Sequence, residues 1–184
     1  MKRILFLSFA LICLAAPSEA QKYMTKNGTI RFFSAGQVED IEAFNHQVNS
    51  ALDISTGSFV FKVLIKSFEF EKALMQEHFN ENYMESGKFP NSIFNGKVSN
   101  LKEINFSKDG SYKAVVEGDL TIHGVTKNIR TQGTFDIKNG KIVGKSTFNV
   151  LLKDYNIAIP KAVVKNIAES IQIDVDVTLD KLNT

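Results

Sequence analysis

Between Gly57 and Phe70 the chain reads GSFVFKVLIKSFEF, which puts Phe59, Phe61, Val63 and Ile65 on one side of a two-residue period and Val60, Lys62, Leu64 and Lys66 on the other. Successive side chains of a strand point to opposite faces, so this alternation of β-branched and aromatic residues describes a strand with one face buried. The same period runs through most of the chain. Val48, Ser50, Leu52 and Ile54 alternate ahead of Thr56-Gly57, a turn signal that makes 46–54 and 57–70 a hairpin. Tyr112, Ala114, Val116, Gly118, Leu120 and Ile122 form another stripe, and Ile129, Thr131, Gly133, Phe135 and Ile137 the next. Asn139-Gly140, a strong two-residue hairpin signal, leads into Ile142, Gly144, Ser146, Phe148, Val150 and Leu152. Ile171, Ile173, Val175, Val177 and Leu179 close the series, facing away from Gln172, Asp174, Asp176, Thr178 and Asp180.

Weaker alternation at 28–34 and 91–99 brings the count to eight strands. Long strands linked by turns predict an all-β protein with one or two short helices, its eight-stranded antiparallel sheet closed into a barrel so that no edge stays exposed. An open sandwich is the alternative. Two segments break the period. Residues 71–86 carry Met75, Phe79 and Tyr83 four apart and stop before Gly87, which predicts a helix of about four turns, capped by that glycine and packed on one barrel end. Residues 154–169 contain Pro160 and then a helical turn over Lys161–Ala168.

The first twenty residues, MKRILFLSFALICLAAPSEA, pair two basic residues with an apolar run from Ile4 to Ala16 and a small-x-small step at Ser18 and Ala20. That layout predicts a cleaved signal peptide at 1–20, followed by a single domain at 21–184 in the periplasm or outside the cell. The run is too short for a membrane span, which needs ~20 apolar residues. The one cysteine, Cys13, falls inside it, so the exported protein has no thiol chemistry. Of 22 basic and 20 acidic residues, Lys2, Arg3 and Glu19 lie in this leader, which leaves a balance of +1. Nucleic-acid binders carry a clustered basic excess, so that class of partner is not expected.

The inward stripes are apolar to their middles, yet Ala114, Gly118, Gly133, Gly144 and Ser146 interrupt them with small residues. An eight-stranded barrel is just wide enough either to fill with side chains or to hold one slender ligand. Pattern alone leaves both open. If there is a tunnel, Phe59, Phe61, Val63, Ile65, Phe94, Tyr112, Val116, Leu120, Phe135, Phe148 and Val150 are its expected lining.

Signals for catalysis are sparse. There are three histidines, His46, His78 and His123. His78 and Glu81 share one face of the predicted helix, which would suit an envelope enzyme acting on an apolar substrate at the barrel mouth, but no second pair completes a metal site. Glu39, Asp40 and Glu42 lack the spaced ligands of a calcium loop. No cofactor, metal or catalytic group is therefore expected. His123 sits on the outward face beside Gly124, placed to hydrogen-bond its hairpin or a neighbouring loop.

The segment GDLTIHGVTKNI (118–129) resembles the signature hairpin of the YceI-like family of lipid or polyisoprenoid-binding proteins. EHFNENYMESGKFPNSIF (77–94) is similar to that family's helix and following strand, at His78, Phe79, Tyr83, Met84, Phe89, Pro90 and Phe94. The resemblance spans roughly Gly28 to Leu182. It departs at the N-terminal opening, where NGTIRFFSAGQVEDIEAFN replaces the family's aromatic, aspartate and histidine-serine pattern, and at Gln76 and Met84. It implies a lipocalin-like barrel whose tunnel holds an isoprenoid or other long-chain lipid-like molecule for transport, storage or sequestration. A structural or stress-related protein with a filled core is the remaining alternative, and the oligomeric state, a homodimer included, is left open.

Overall fold

The computed structural model describes residues 21–160 and 167–182. The leader at 1–20 and most of the helical turn expected at Lys161–Ala168 lie outside those residues. The strands are β1 (Lys22–Ser34), β2 (Ile41–Asp53), β3 (Ser58–Leu64), a three-residue β4 (Phe68–Phe70), β5 (Asn91–Val98), β6 (Gly110–Ile122), β7 (Val125–Lys138), β8 (Lys141–Leu151) and β9 (Ser170–Lys181). All pair antiparallel in the order β1-β9-β8-β7-β6-β5-β3-β2, and β2 returns to β1. The ring is a closed eight-stranded barrel, with β4 continuing the line of β3 along β2. The weak first strand begins earlier than its sequence signal, at Lys22.

Turn chemistry sets the registers. Ile122 pairs with Val125 and Lys138 with Lys141, so each hairpin has a two-residue loop. His123 and Gly124 have φ of 49° and 75°, and Asn139 and Gly140 have 51° and 74°. Positive φ at both central residues is the type I′ turn, whose twist matches that of the flanking strands.

One strand does not run through. The segment 57–70 is interrupted by a 3-10 turn at Ile65–Ser67. Ile65 and Phe68 are both buried, three residues apart, so the inward phase slips between them. β2 slips at the same level, from buried Asn45 to buried Val48. Asn45 closes the gap in the ladder: its Nδ2 donates to Leu64 O at 2.8 Å, and its Oδ1 accepts the Gln47 N–H at 2.9 Å.

The helix is shorter and less regular than expected. An α-helix, α1 (Ala73–His78), runs directly into a π-helical turn over Phe79–Tyr83. The chain leaves at Glu85, whose φ of 43° makes it the left-handed cap, and Ser86 N–H donates back to Asn80 O at 2.8 Å. Glu85 thus takes the role that spacing had given to Gly87. The Phe79 ring ties this element to the barrel, with centroids 5.4, 5.5 and 5.0 Å from Phe32, Phe68 and Phe70.

Candidate functional site

The end of the barrel away from α1 is solid. Tyr23, Leu52, Phe59, Val98, Ile104, Ile137, Ile142 and Leu179 are buried together there. A second buried cluster, including Val48, Ile65, Phe68, Met84, Tyr155 and Ile171, sits beneath α1. Between them lies a cavity of about 460 Å³, within the range of small-molecule pockets. Phe59 and Phe135, edge-on at 5.7 Å, form its floor, and Phe61 continues the aromatic wall 4.6 Å from Phe59. Leu74, Met75, His78 and Phe79 line its upper end.

Ten of the eleven expected lining residues face this space: Phe59, Phe61, Val63, Ile65, Phe94, Val116, Leu120, Phe135, Phe148 and Val150. Tyr112 does not. Its ring packs half-buried against the solid end, and its hydroxyl donates to Lys108 O at 3.1 Å, because the β6 stripe starts below the cavity floor. Phe32, Phe68, Phe70, Ile171, Ile173 and Val175 also line the cavity. The β9 residues stood on a visible stripe, whereas Phe68 and Phe70 were on the outward phase of 57–70 until the 3-10 turn shifted them inward.

The small residues on the stripes divide by role. A Cβ on Gly118 would lie 2.3 Å from Gly96 Cα, and one on Gly133 would lie 2.3 Å from Lys145 O. Both admit a neighbouring strand rather than a ligand. Ser146 and Thr131 bring hydroxyls to the cavity wall. Burial pushes the Tyr83 phenol up from its usual range, so it meets the cavity as a neutral hydroxyl.

The histidines are dispersed. His46 is outside the barrel, its Nδ1 3.2 Å from Thr29 Oγ1. His78 is exposed at the cavity rim, but Glu81 does not line the cavity and is not hydrogen-bonded to His78. Among the described residues, no three His, Cys, Asp or Glu side chains gather as a metal site would require. His123 lies off the cavity, with Nε2 2.7 Å from Glu85 Oε2, Nδ1 3.2 Å from Tyr155 O, and the Phe89 ring edge-on at 4.7 Å.

The sequence profile of the YceI-like domain matches residues 21–179, nearly the whole barrel. The chain belongs to the YceI-like family. Solved structures agree on the fold of this YceI-like barrel. A polyisoprenoid binding domain from Saccharophagus degradans superposes with a TM-score of 0.77 at 11% identity, over 89% of this chain and 100% of that one. BcnA of Burkholderia cenocepacia gives 0.65 at 12% identity, over 83% and 95%. The YceI protein of Campylobacter jejuni gives 0.54 at 15% identity, over 100% and 92%. No curated protein is similar enough to match.

Proposed function

We propose that this YceI-like barrel is an exported binding protein that holds one long apolar or amphiphilic molecule, of polyisoprenoid or related lipid character, for transport, storage or sequestration. The observation that carries this reading is the cavity itself: a partly open, overwhelmingly apolar space above a solid floor, whose few polar neighbours are hydroxyls and, at its margins, His78 and Lys145. The ten lining residues named above are its binding surface. The description of the Saccharophagus degradans domain as polyisoprenoid binding supports the ligand class. The leader-like segment at 1–20 supports export to the periplasm or beyond, with 21–184 as the single working domain. No helix among the described residues is long and apolar enough to cross a membrane.

Affinity would come from burial alone. Each methylene leaving water contributes ~0.8 kcal/mol, against an association cost of roughly 4–15 kcal/mol, so a chain needs about ten methylenes or more before binding becomes useful. Titrating a homologous series of long-chain alcohols tests this. Affinity should tighten roughly fourfold per methylene until the cavity is full. Affinity independent of chain length would contradict the reading.

A further inference from the structure

One seam of the barrel is only partly paired. β6 and β7 pair without a break from Gly110↔Ile137 to Ile122↔Val125, and β8 and β9 from Ile142↔Leu179 to Leu151↔Ser170. Between β7 and β8 the pairing starts at Lys138↔Lys141 and stops at Gly133↔Ser146. Val125–Gln132 and Thr147–Leu151 are therefore not paired with each other, and no other described strand takes up those edges. The half-open seam leads to the cavity: Ile129 and Thr131 on one edge, and Phe148 and Val150 on the other, all line it. Lys127, Arg130, Thr147 and Asn149 are exposed along the same edges, the kind of charged and polar cover that keeps free edges from pairing with other chains.

Both ends of this split are held. At its apex the Ser146 hydroxyl donates to Gln132 O at 2.8 Å and lies 3.2 Å from Thr131 Oγ1. Gly133 lets the two backbones close up just there. At the open end, His123, in the turn before β7, approaches Tyr155 O, in the turn after β8, through Nδ1 at 3.2 Å. Its Nε2 holds Glu85, just past the helical segment, at 2.7 Å.

We infer that this split is a lateral gate through which the apolar ligand passes between β7 and β8, with His123 as the clasp that closes it. The inference rests on the lipid-binding reading above and concerns its route. At the α1 end the Phe79 ring, packed against three aromatic neighbours, narrows the approach to the cavity. Parting β7 from β8 breaks no ladder hydrogen bond above Gly133, because none is made. It releases one hydrogen-bonded clasp and pivots at a glycine, the local kind of change that loop and lid motions use. A sideways slot also admits a long chain along its length, which suits a ligand longer than the mouth is wide.

The test uses the full chain with Arg130→Cys and Asn149→Cys on facing, exposed positions of the split, and with Cys13→Ser so that no third thiol is present wherever the leader is retained. A disulfide between them draws the edges to within ~7 Å Cα to Cα. Uptake of a conjugated long-chain fatty acid, followed by its fluorescence, should be slower by roughly tenfold or more when the pair is oxidised, with the same final occupancy, and recover on reduction. His123→Asn keeps a residue that tolerates the left-handed turn, and should release the probe several-fold faster than the parent. Equal uptake by oxidised and reduced forms, or unchanged release from His123→Asn, overturns the gate. If the cysteines do not oxidise, the release rate decides alone. A parent protein that takes up no probe at all overturns the binding reading, and the gate with it.

Discussion

Asn45 shows how one polar residue can set a strand's course. It is fully buried, and both its amide groups are used across the 3-10 interruption. Replacing it by alanine removes both of these part-buried hydrogen bonds, from the Leu64 carbonyl and the Gln47 N–H, at a cost of about 1–3 kcal/mol. Urea unfolding of Asn45→Ala should show that loss as a lowered midpoint with an unchanged slope. A variant as stable as the parent would mean the interruption is set elsewhere. This contact joins residues 19 apart, which is why Phe68 and Phe70 could not be placed from the alternation of their own segment. Tyr112 differs for another reason: it lies on the stripe that alternation marks, but alternation tells a side chain's face and not its height in the barrel. His123 was legible as a turn residue that reaches neighbouring loops, because a left-handed position beside Gly124 leaves the imidazole free to span between elements.

At the scale of elements, the closing of the ring is reinforced from outside. Arg31 on β1 pairs with Glu42 on β2 at 2.5 Å and with Asp174 on β9 at 2.7 Å, and Asp174 also accepts from Thr147 on β8 at 2.7 Å. Burial pushes the Asp174 carboxyl up, but hydrogen bonds from Thr147, Gln172 and Arg31 outweigh it and hold the carboxyl below its ordinary value. A lowered folded pKa stabilises the protein above the unfolded value, and that contribution disappears as pH falls through the folded one. Acid unfolding should therefore steepen below about pH 4, and Asp174→Asn should be less stable at neutral pH with a shallower acid dependence. Parallel acid profiles for the two proteins would contradict this. Strand existence, hairpin turns and the helical cap of the barrel were all legible because each rests on local periodicity. The short β4, the π-helical turn and the Glu85 cap were not, since each is decided by packing against a distant strand.

For the whole molecule, alternation was enough to predict a closed barrel and ten of the residues that face its interior, but not whether that interior was open. Volume depends on how the phenylalanines beyond the leader, thirteen of the fifteen in the sequence, are arranged in three dimensions. Here several are drawn into the floor and into the aromatic cluster under α1, leaving about 460 Å³ between them. The split seam was likewise invisible, because β7 and β8 carry normal strand patterns along their whole length. On the function proposed above, this space is filled by a long apolar molecule. Solvent extraction of the purified, folded protein followed by mass spectrometry tests that directly. A long-chain isoprenoid or lipid-like compound should be recovered at close to one per protein, and none after Val116 and Leu120 are both replaced by tryptophan to fill the cavity. Repeated recovery of no apolar compound from the parent protein, or equal recovery from the filled variant, would contradict it.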